Sequence, residues 1–175
     1  AQAGDQLKAI DVAQTASPGI FQVAQGGSYA VPGYYTKAGF ESFADRMPDY
    51  IRQATGTDWA IGGAAAEKSQ ELAEQVTALY VRDYVARWRA AMDSIHLADL
   101  KTLDDAATVL RGLSGAQSAL LQLLTTLREN TTLDTHPPNT AFPQALLPAA
   151  KAIGASFQPL TSLVDPDTQQ TLAPA

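Results

Sequence analysis

The stretch LYVRDYVARW, Leu79 to Trp88, decides how this chain is read. It sets Tyr80, Tyr84 and Trp88 at four-residue spacing, with Asp83 and Arg87 lodged among them. Residues four apart share one face of an α-helix, so the stretch predicts a helix carrying an aromatic stripe. With Tyr80 at the centre and about 100° per residue, Leu72, Val76, Leu79, Tyr84, Trp88, Ala91 and Ile95 fall within about 100° either side of it. Glu67, Lys68, Glu71, Glu74, Arg82 and Arg89 take the opposite face.

Asp83 and Arg87 break this pattern by projecting from the apolar side. They stand four apart with the acid first, the favoured order for an ion pair along a helix. A buried charge is costly unless paired and hydrogen-bonded. Asp83 is therefore expected to meet Arg87, with the tyrosine hydroxyls as further donors, and Asp83, Arg87, Tyr80, Tyr84 and Trp88 together read as a structural lock in the core. The competing reading makes Asp83 a general acid or base with a raised pKa. It lacks a second carboxylate or histidine at a spacing that would supply its partner. Val81, Val85 and Met92 lie on the nominally polar side, as a second buried seam or as a contact surface for another subunit. The buried seam is preferred, because leucine-rich partner helices follow directly in the chain.

Working outward, the periodic run extends from Ala64 to about Ile95, and the fold class is mainly α: a multi-helix bundle with one long central helix and Gly/Pro-rich connecting loops. Gln6 to Ala13 reads as a short helix. SPGIFQVAQGGSYAVPG is loop, with room for a small hairpin around Gly26-Gly27. Thr36 is an N-cap for KAGFESFADRM, and Pro48 should kink or restart that helix, since proline supplies no amide hydrogen. GTDWAIGG is a turn region. Thr102 to Arg111 is a helix opened by a capping box of Thr102 with Asp105, and another helix runs from about Gln117 to Asn130. HPPNTAFP, from His136, breaks the pattern; a last helix, broken or begun by Pro148, runs to Leu163. No convincing alternating strand and no internal repeat is visible.

The totals exclude several functions. The chain has 175 residues, of which 46% are apolar, so it is one globular domain with a sizeable core. Its formal net charge of -6, with only 12 scattered Lys and Arg, argues against nucleic acid and against a basic membrane-surface role. The absence of cysteine removes thiolate nucleophiles, Cys-based zinc sites and disulfides. AQAGDQLKAID lacks the basic start and apolar run of a secretory signal. GLSGAQSALLQLLTTL is too short and too polar to span a bilayer. The abrupt start and the loose end TQQTLAPA suggest a piece of something longer.

Other candidate chemistry reads as structural. His96 and His136 are far apart, and His96 ends the long helix, where an imidazole suits the dipole. A shared metal site would need carboxylates that no local spacing provides. Asp104-Asp105 sits in a helix first turn, and Asp165 and Asp167 match neither an EF-hand loop nor a paired-acid site. No GxSxG or SxxK occurs. The glycines of QGGSYAVPG and IGGAAAEKS, including Gly62-Gly63 before the long helix, lack the rest of a phosphate loop and read as turns. No cofactor and no catalytic or metal site is expected.

Four stretches together carry a resemblance. VPGYYTKAGF (Val31 to Phe40) sets a proline, an aromatic, Thr and Gly at a helix start; LYVRDYVARW, LRENTTL (Leu127 to Leu133) and SFQPLTSLV (Ser156 to Val164) follow in order. Their order and spacing resemble the periplasmic part of the IcmF/TssM family, the large inner-membrane component of type VI secretion systems. The resemblance spans Gly33 to Val164. It divides the chain into a lead-in over residues 1–30, a family-like helical core over 31–164 and a tail over 165–175.

The resemblance implies a non-enzymatic scaffold or spacer in the periplasm, within a parent protein anchored in the bacterial inner membrane. The partners it implies are a TssJ-type outer-membrane lipoprotein, a TssL-type inner-membrane protein and further TssM-type copies. It assigns the grip on the lipoprotein to a β-rich domain beyond this segment, so these helices are expected to pack on neighbouring subunits or to position that domain. Tyr35, Thr36, Gly39, Tyr80, Asp83, Tyr84, Trp88, Asn130 and Thr131 carry over as fold-specifying positions. The reading from another class is a helical ligand-binding or sensor domain, with Trp88, Tyr84 and Tyr80 lining a pocket.

Overall fold

A computed structural model describes residues 7–13, 19–23, 30–56, 64–114, 118–134 and 144–164. Five α-helices dominate them: α1 (Lys37–Thr55), α2 (Ala64–Ser94), α3 (Leu103–Leu113), α4 (Ala119–Thr131) and α5 (Leu147–Thr161). Four short strands accompany them: β1 (Ile10–Asp11), β2 (Phe21–Val23), β3 (Ala30–Val31) and β4 (Ile95–Leu97). The mainly helical class is as expected from the sequence.

Local chemistry sets the helix ends. A 3-10 turn at Gly33–Tyr35 delivers the chain to Thr36, whose extended backbone and hydroxyl start α1; its Oγ1 accepts the Gly39 amide at 3.2 Å. α1 ends at Gly56, whose φ of 65° is the left-handed conformation that glycine adopts without a Cβ penalty. α3 opens with the expected capping box, Thr102 accepting from the Asp105 amide while the Asp105 carboxylate accepts from the Thr102 amide. Ser118 caps α4, and Pro148 stands in the first turn of α5, where a missing amide hydrogen costs nothing.

Of the expected kink or restart at Pro48, the restart does not occur: α1 continues through it. Ala44 before it and Ile51 after it are both buried, so tertiary packing holds the two sides of the proline in one helix despite the lost hydrogen bond.

The strands correct the sequence reading of the first third. Ile10–Asp11 is not helical but pairs antiparallel with Ala30–Val31, Ile10 opposite Val31; of the described part of that segment, residues 7–13, only Val12 and Ala13 are helical. β2 pairs antiparallel with β4, Phe21 opposite Leu97, and the Ala98 amide extends the pairing to the Ile20 carbonyl at 2.9 Å. The turn expected at Gly26-Gly27 lies outside the described residues, but the strands flanking it pair elsewhere rather than with each other. His96 stands in β4, opposite Gln22, just after the long helix. The rest of GTDWAIGG after Gly56, including Gly62-Gly63, His136 with the rest of HPPNTAFP, Asp165 and Asp167 also lie outside the described residues.

The main core gathers Val12, Val31, Phe40, Tyr84, Trp88, Leu123, Leu127, Leu133, Leu146, Ile153 and Phe157, so the lead-in, β3, α1, α2, α4 and α5 all contribute. A satellite core of Ile20, Val109 and Ala119, with Phe21 and Leu113 against it, sits where α3 meets β2 and α4. Among the described residues no helix is long and apolar enough to cross a membrane.

Candidate functional site

The charged pair and the aromatic stripe of α2 part company. Tyr84 and Trp88 are fully buried, whereas Arg87 is exposed and the Asp83 side chain is 45% exposed. The Asp83 carboxylate is held by its neighbour Arg82, at 3.1 Å to Nε and 3.0 Å to Nη2. Arg87 instead places its guanidinium 6.0 Å from the centroid of the Tyr35 ring. The expected buried Asp83–Arg87 lock is therefore corrected: the lock exists, but its parts are aromatic and backbone groups.

The reason is a rotation of the buried arc. At about 100° per residue, the contacts of α2 centre on Trp88, roughly 80° round from Tyr80. That rotation turns Asp83 and the 51%-exposed Leu79 outward. It also brings Val81, Val85 and Met92 against the core, where they form the expected second seam.

The lock is built from hydroxyl, indole and carbonyl groups. The Tyr80 hydroxyl donates to the Tyr34 carbonyl at 2.5 Å, and the Trp88 Nε1–H to the Tyr35 carbonyl at 2.6 Å. Both acceptors belong to the 3-10 turn that precedes α1. The Tyr84 hydroxyl donates to the Asn130 carbonyl at 2.5 Å, near the end of α4. Asn130 Oδ1 in turn accepts the Lys37 amide at 3.1 Å, satisfying a free donor at the start of α1, while its Nδ2 donates to the Thr126 carbonyl at 2.9 Å. Thr131 is fully buried and donates back to Leu127 at 2.8 Å.

The ring contacts close the node. Tyr35 stacks on Tyr80 at 5.8 Å and meets Tyr84 edge-on at 6.2 Å; Phe40 meets Tyr84 edge-on at 6.5 Å. Phe43 lies flat on Tyr80 at 4.1 Å. Gly39 is required here, because a Cβ would overlap the carbonyl groups of Gly33 and Tyr34.

Burial pushes the Tyr80 and Tyr84 hydroxyls well above the usual phenol pKa, each aided by the neighbouring tyrosine. They remain protonated donors throughout the physiological range. Among the described residues no buried side-chain nitrogen or oxygen lacks a hydrogen-bond partner.

The structure thus joins Tyr35, Thr36, Gly39, Tyr80, Tyr84, Trp88, Asn130 and Thr131 in one place and leaves Asp83 and Arg87 at its edge. Sequence reasoning missed Tyr34 and Lys37, which act through backbone atoms, and the ring of Phe43. The i, i+3 spacing of Phe40 and Phe43 was the available signal for that ring. Of the three aromatic residues that the ligand-binding reading puts around a pocket, Trp88 and Tyr84 have 0% exposure, while Tyr80 lines a cleft with Tyr34, Tyr35, Phe43 and Tyr50.

A family model described as "IcmF-related: Intracellular multiplication and human macrophage-killing" matches residues 1–132. The match takes in the lead-in before β3 and ends just after α4, so it covers every residue of the node. No curated protein and no solved structure matches the chain.

Proposed function

Because the chain belongs to the IcmF-related family, matched over residues 1–132, we propose that it is a non-enzymatic structural module of a type VI secretion trans-envelope membrane complex. In this reading it is a periplasmic scaffold or spacer, part of a protein anchored in the bacterial inner membrane. It acts through contacts with other subunits: a TssL-type inner-membrane protein, further TssM-type copies and, through neighbouring parts of its parent, a TssJ-type lipoprotein.

One observation supports this reading above the others. Side chains that could bear chemistry or line a ligand pocket at the centre of the fold are spent on fixing the start of α1 and the end of α4 against α2. Such a node makes the relative placement of three helices rigid, which is what a spacer requires. α2, at 31 residues, is about 45 Å of stiff rod.

The test is photo-crosslinking in cells, with the segment tagged inside its parent chain. A crosslinking amino acid is placed at exposed Leu79, Leu103 or Leu110 and, as a control, at buried Phe157. Secretion subunits captured from one or more exposed positions, and only parent-chain products from Phe157, are expected. Parent-chain products from every position would sink the scaffold reading.

A further inference from the structure

A cleft of about 300 Å³ lies beside the node, on the face of α1 turned away from α4 and α5. Gly39, Phe43, Arg46 and Tyr50 follow one another along α1 at the three- and four-residue steps that share a face, with Ser42 beside them one turn from Gly39 and Arg46. The stacked Phe43–Tyr80 pair contributes flat aromatic surface. Tyr34 and Tyr50 add rings that are 70% and 58% exposed, unusual for residues of this size. We propose that this cleft binds an extended, proline-containing peptide segment of a partner protein, with an acidic residue of that segment set against Arg46.

Three features point to this ligand class. The first is shape and surface: shallow grooves lined by aromatic rings accept polyproline II segments, whose preformed backbone loses little entropy on docking. The second is hydrogen-bond sense. Among the described residues no Asp, Glu, Asn or Gln side chain lines the cleft, and the Tyr80 hydroxyl is already donated to the Tyr34 carbonyl. What it offers is the donor-only guanidinium of Arg46 with the hydroxyls of serine and tyrosine. A proline-rich strand is the matching ligand, because it presents carbonyl acceptors and few amide donors. A saccharide's hydroxyls are held most strongly by carboxylate and amide side chains, of which the described lining has none.

The third feature is charge and length. Arg46 is exposed, makes no ion pair among the described residues and is the charged side chain of the described lining. Eleven residue steps from Gly39 to Tyr50 are about 16 Å of helix, and polyproline II rises about 3.1 Å per residue, so about five peptide residues span it. This proposal goes beyond the scaffold reading and does not rest on it, since the cleft is tested on the isolated chain.

The experiment is an amide NMR titration of the isotope-labelled chain with an acetylated, amidated decapeptide of proline pairs separated by leucine and glutamate. The same peptide with alanine for every proline and a chitin oligosaccharide are run beside it. Saturable shifts confined to residues 34–50 and the neighbourhood of Tyr80, with the proline peptide alone, are expected. Tyr50→Ala and Arg46→Ala, both at exposed positions, should each weaken that binding about tenfold, whereas Leu103→Ala outside the cleft should not change it. No saturable shift, equal binding of the alanine peptide, or shifts with the sugar alone would overturn the proposal.

Discussion

Asn130 shows how much of this fold rests on single side chains. Its amide oxygen caps α1, its amide nitrogen returns to α4, and its carbonyl receives the Tyr84 hydroxyl from α2. Replacing it by alanine removes the cap but leaves the carbonyl, so Asn130→Ala should cost about 1–2 kcal/mol in urea denaturation. Tyr84→Phe does the reverse, keeping the cap and leaving a buried carbonyl without its donor, for about 1–3 kcal/mol. Asn130 and Tyr84 are joined by a direct hydrogen bond in one network, so the double variant should depart from the sum of the single effects by about 0.5 kcal/mol or more. An additive double variant would show that the cap and the tyrosine act independently. Gly39→Ala should be worse than either, because the methyl group meets backbone carbonyls that cannot move without unwinding the turn before α1.

At the scale of elements, the decisive quantity is the direction in which α2 presents its face. A lock made of buried charge predicts that removing Asp83 costs about 3–5 kcal/mol. A surface pair with Arg82 predicts less than about 0.5 kcal/mol for Asp83→Ala, and the same denaturation series decides between them. The helices and their caps were legible from sequence because both are local: a 3.6-residue period, Thr36 before α1, Thr102 with Asp105 before α3. The rotation of the α2 face was not, because Leu79, Tyr80 and Val81 are equally plausible core positions until α1 and α5 choose among them. Nor were the strands, since β2 is three residues long and its partner lies some seventy residues away, where alternation has no room to show. The node was half visible: aromatic and amide positions stand out in a sequence, but the acceptors of the Tyr80 hydroxyl and the Trp88 indole are backbone carbonyls of Tyr34 and Tyr35, which every residue type carries and no pattern marks. The same view separates α3 from the rest. It rests on the satellite core while Leu103 and Leu110 face solvent, 90% and 65% exposed, so α3 and the β2–β4 pair should exchange amide hydrogens well before the buried turns of α2 around Trp88.

For the molecule as a whole, buried Tyr84 and half-buried Tyr80 make stability a function of alkaline pH. Each has a folded pKa raised above the ordinary value of 10.0, mainly because burial penalises the phenolate. Below about pH 10 both forms of the chain hold these protons and the stabilising hydroxyl bonds are fully present. Above that the unfolded chain loses its protons first, so stability falls, by at most about 1.4 kcal/mol per pH unit for each tyrosine. The fall continues until the folded-state hydroxyls themselves ionise. Urea midpoints measured from neutral pH to about pH 11 should stay level on account of these groups and then drop. In Tyr84→Phe the drop should be shallower, even though that variant begins less stable. An identical slope in the variant would mean that Tyr84 ionises freely in the folded chain, and the node would then be open to water rather than the sealed joint between α1, α2 and α4 that the hydrogen bonds describe.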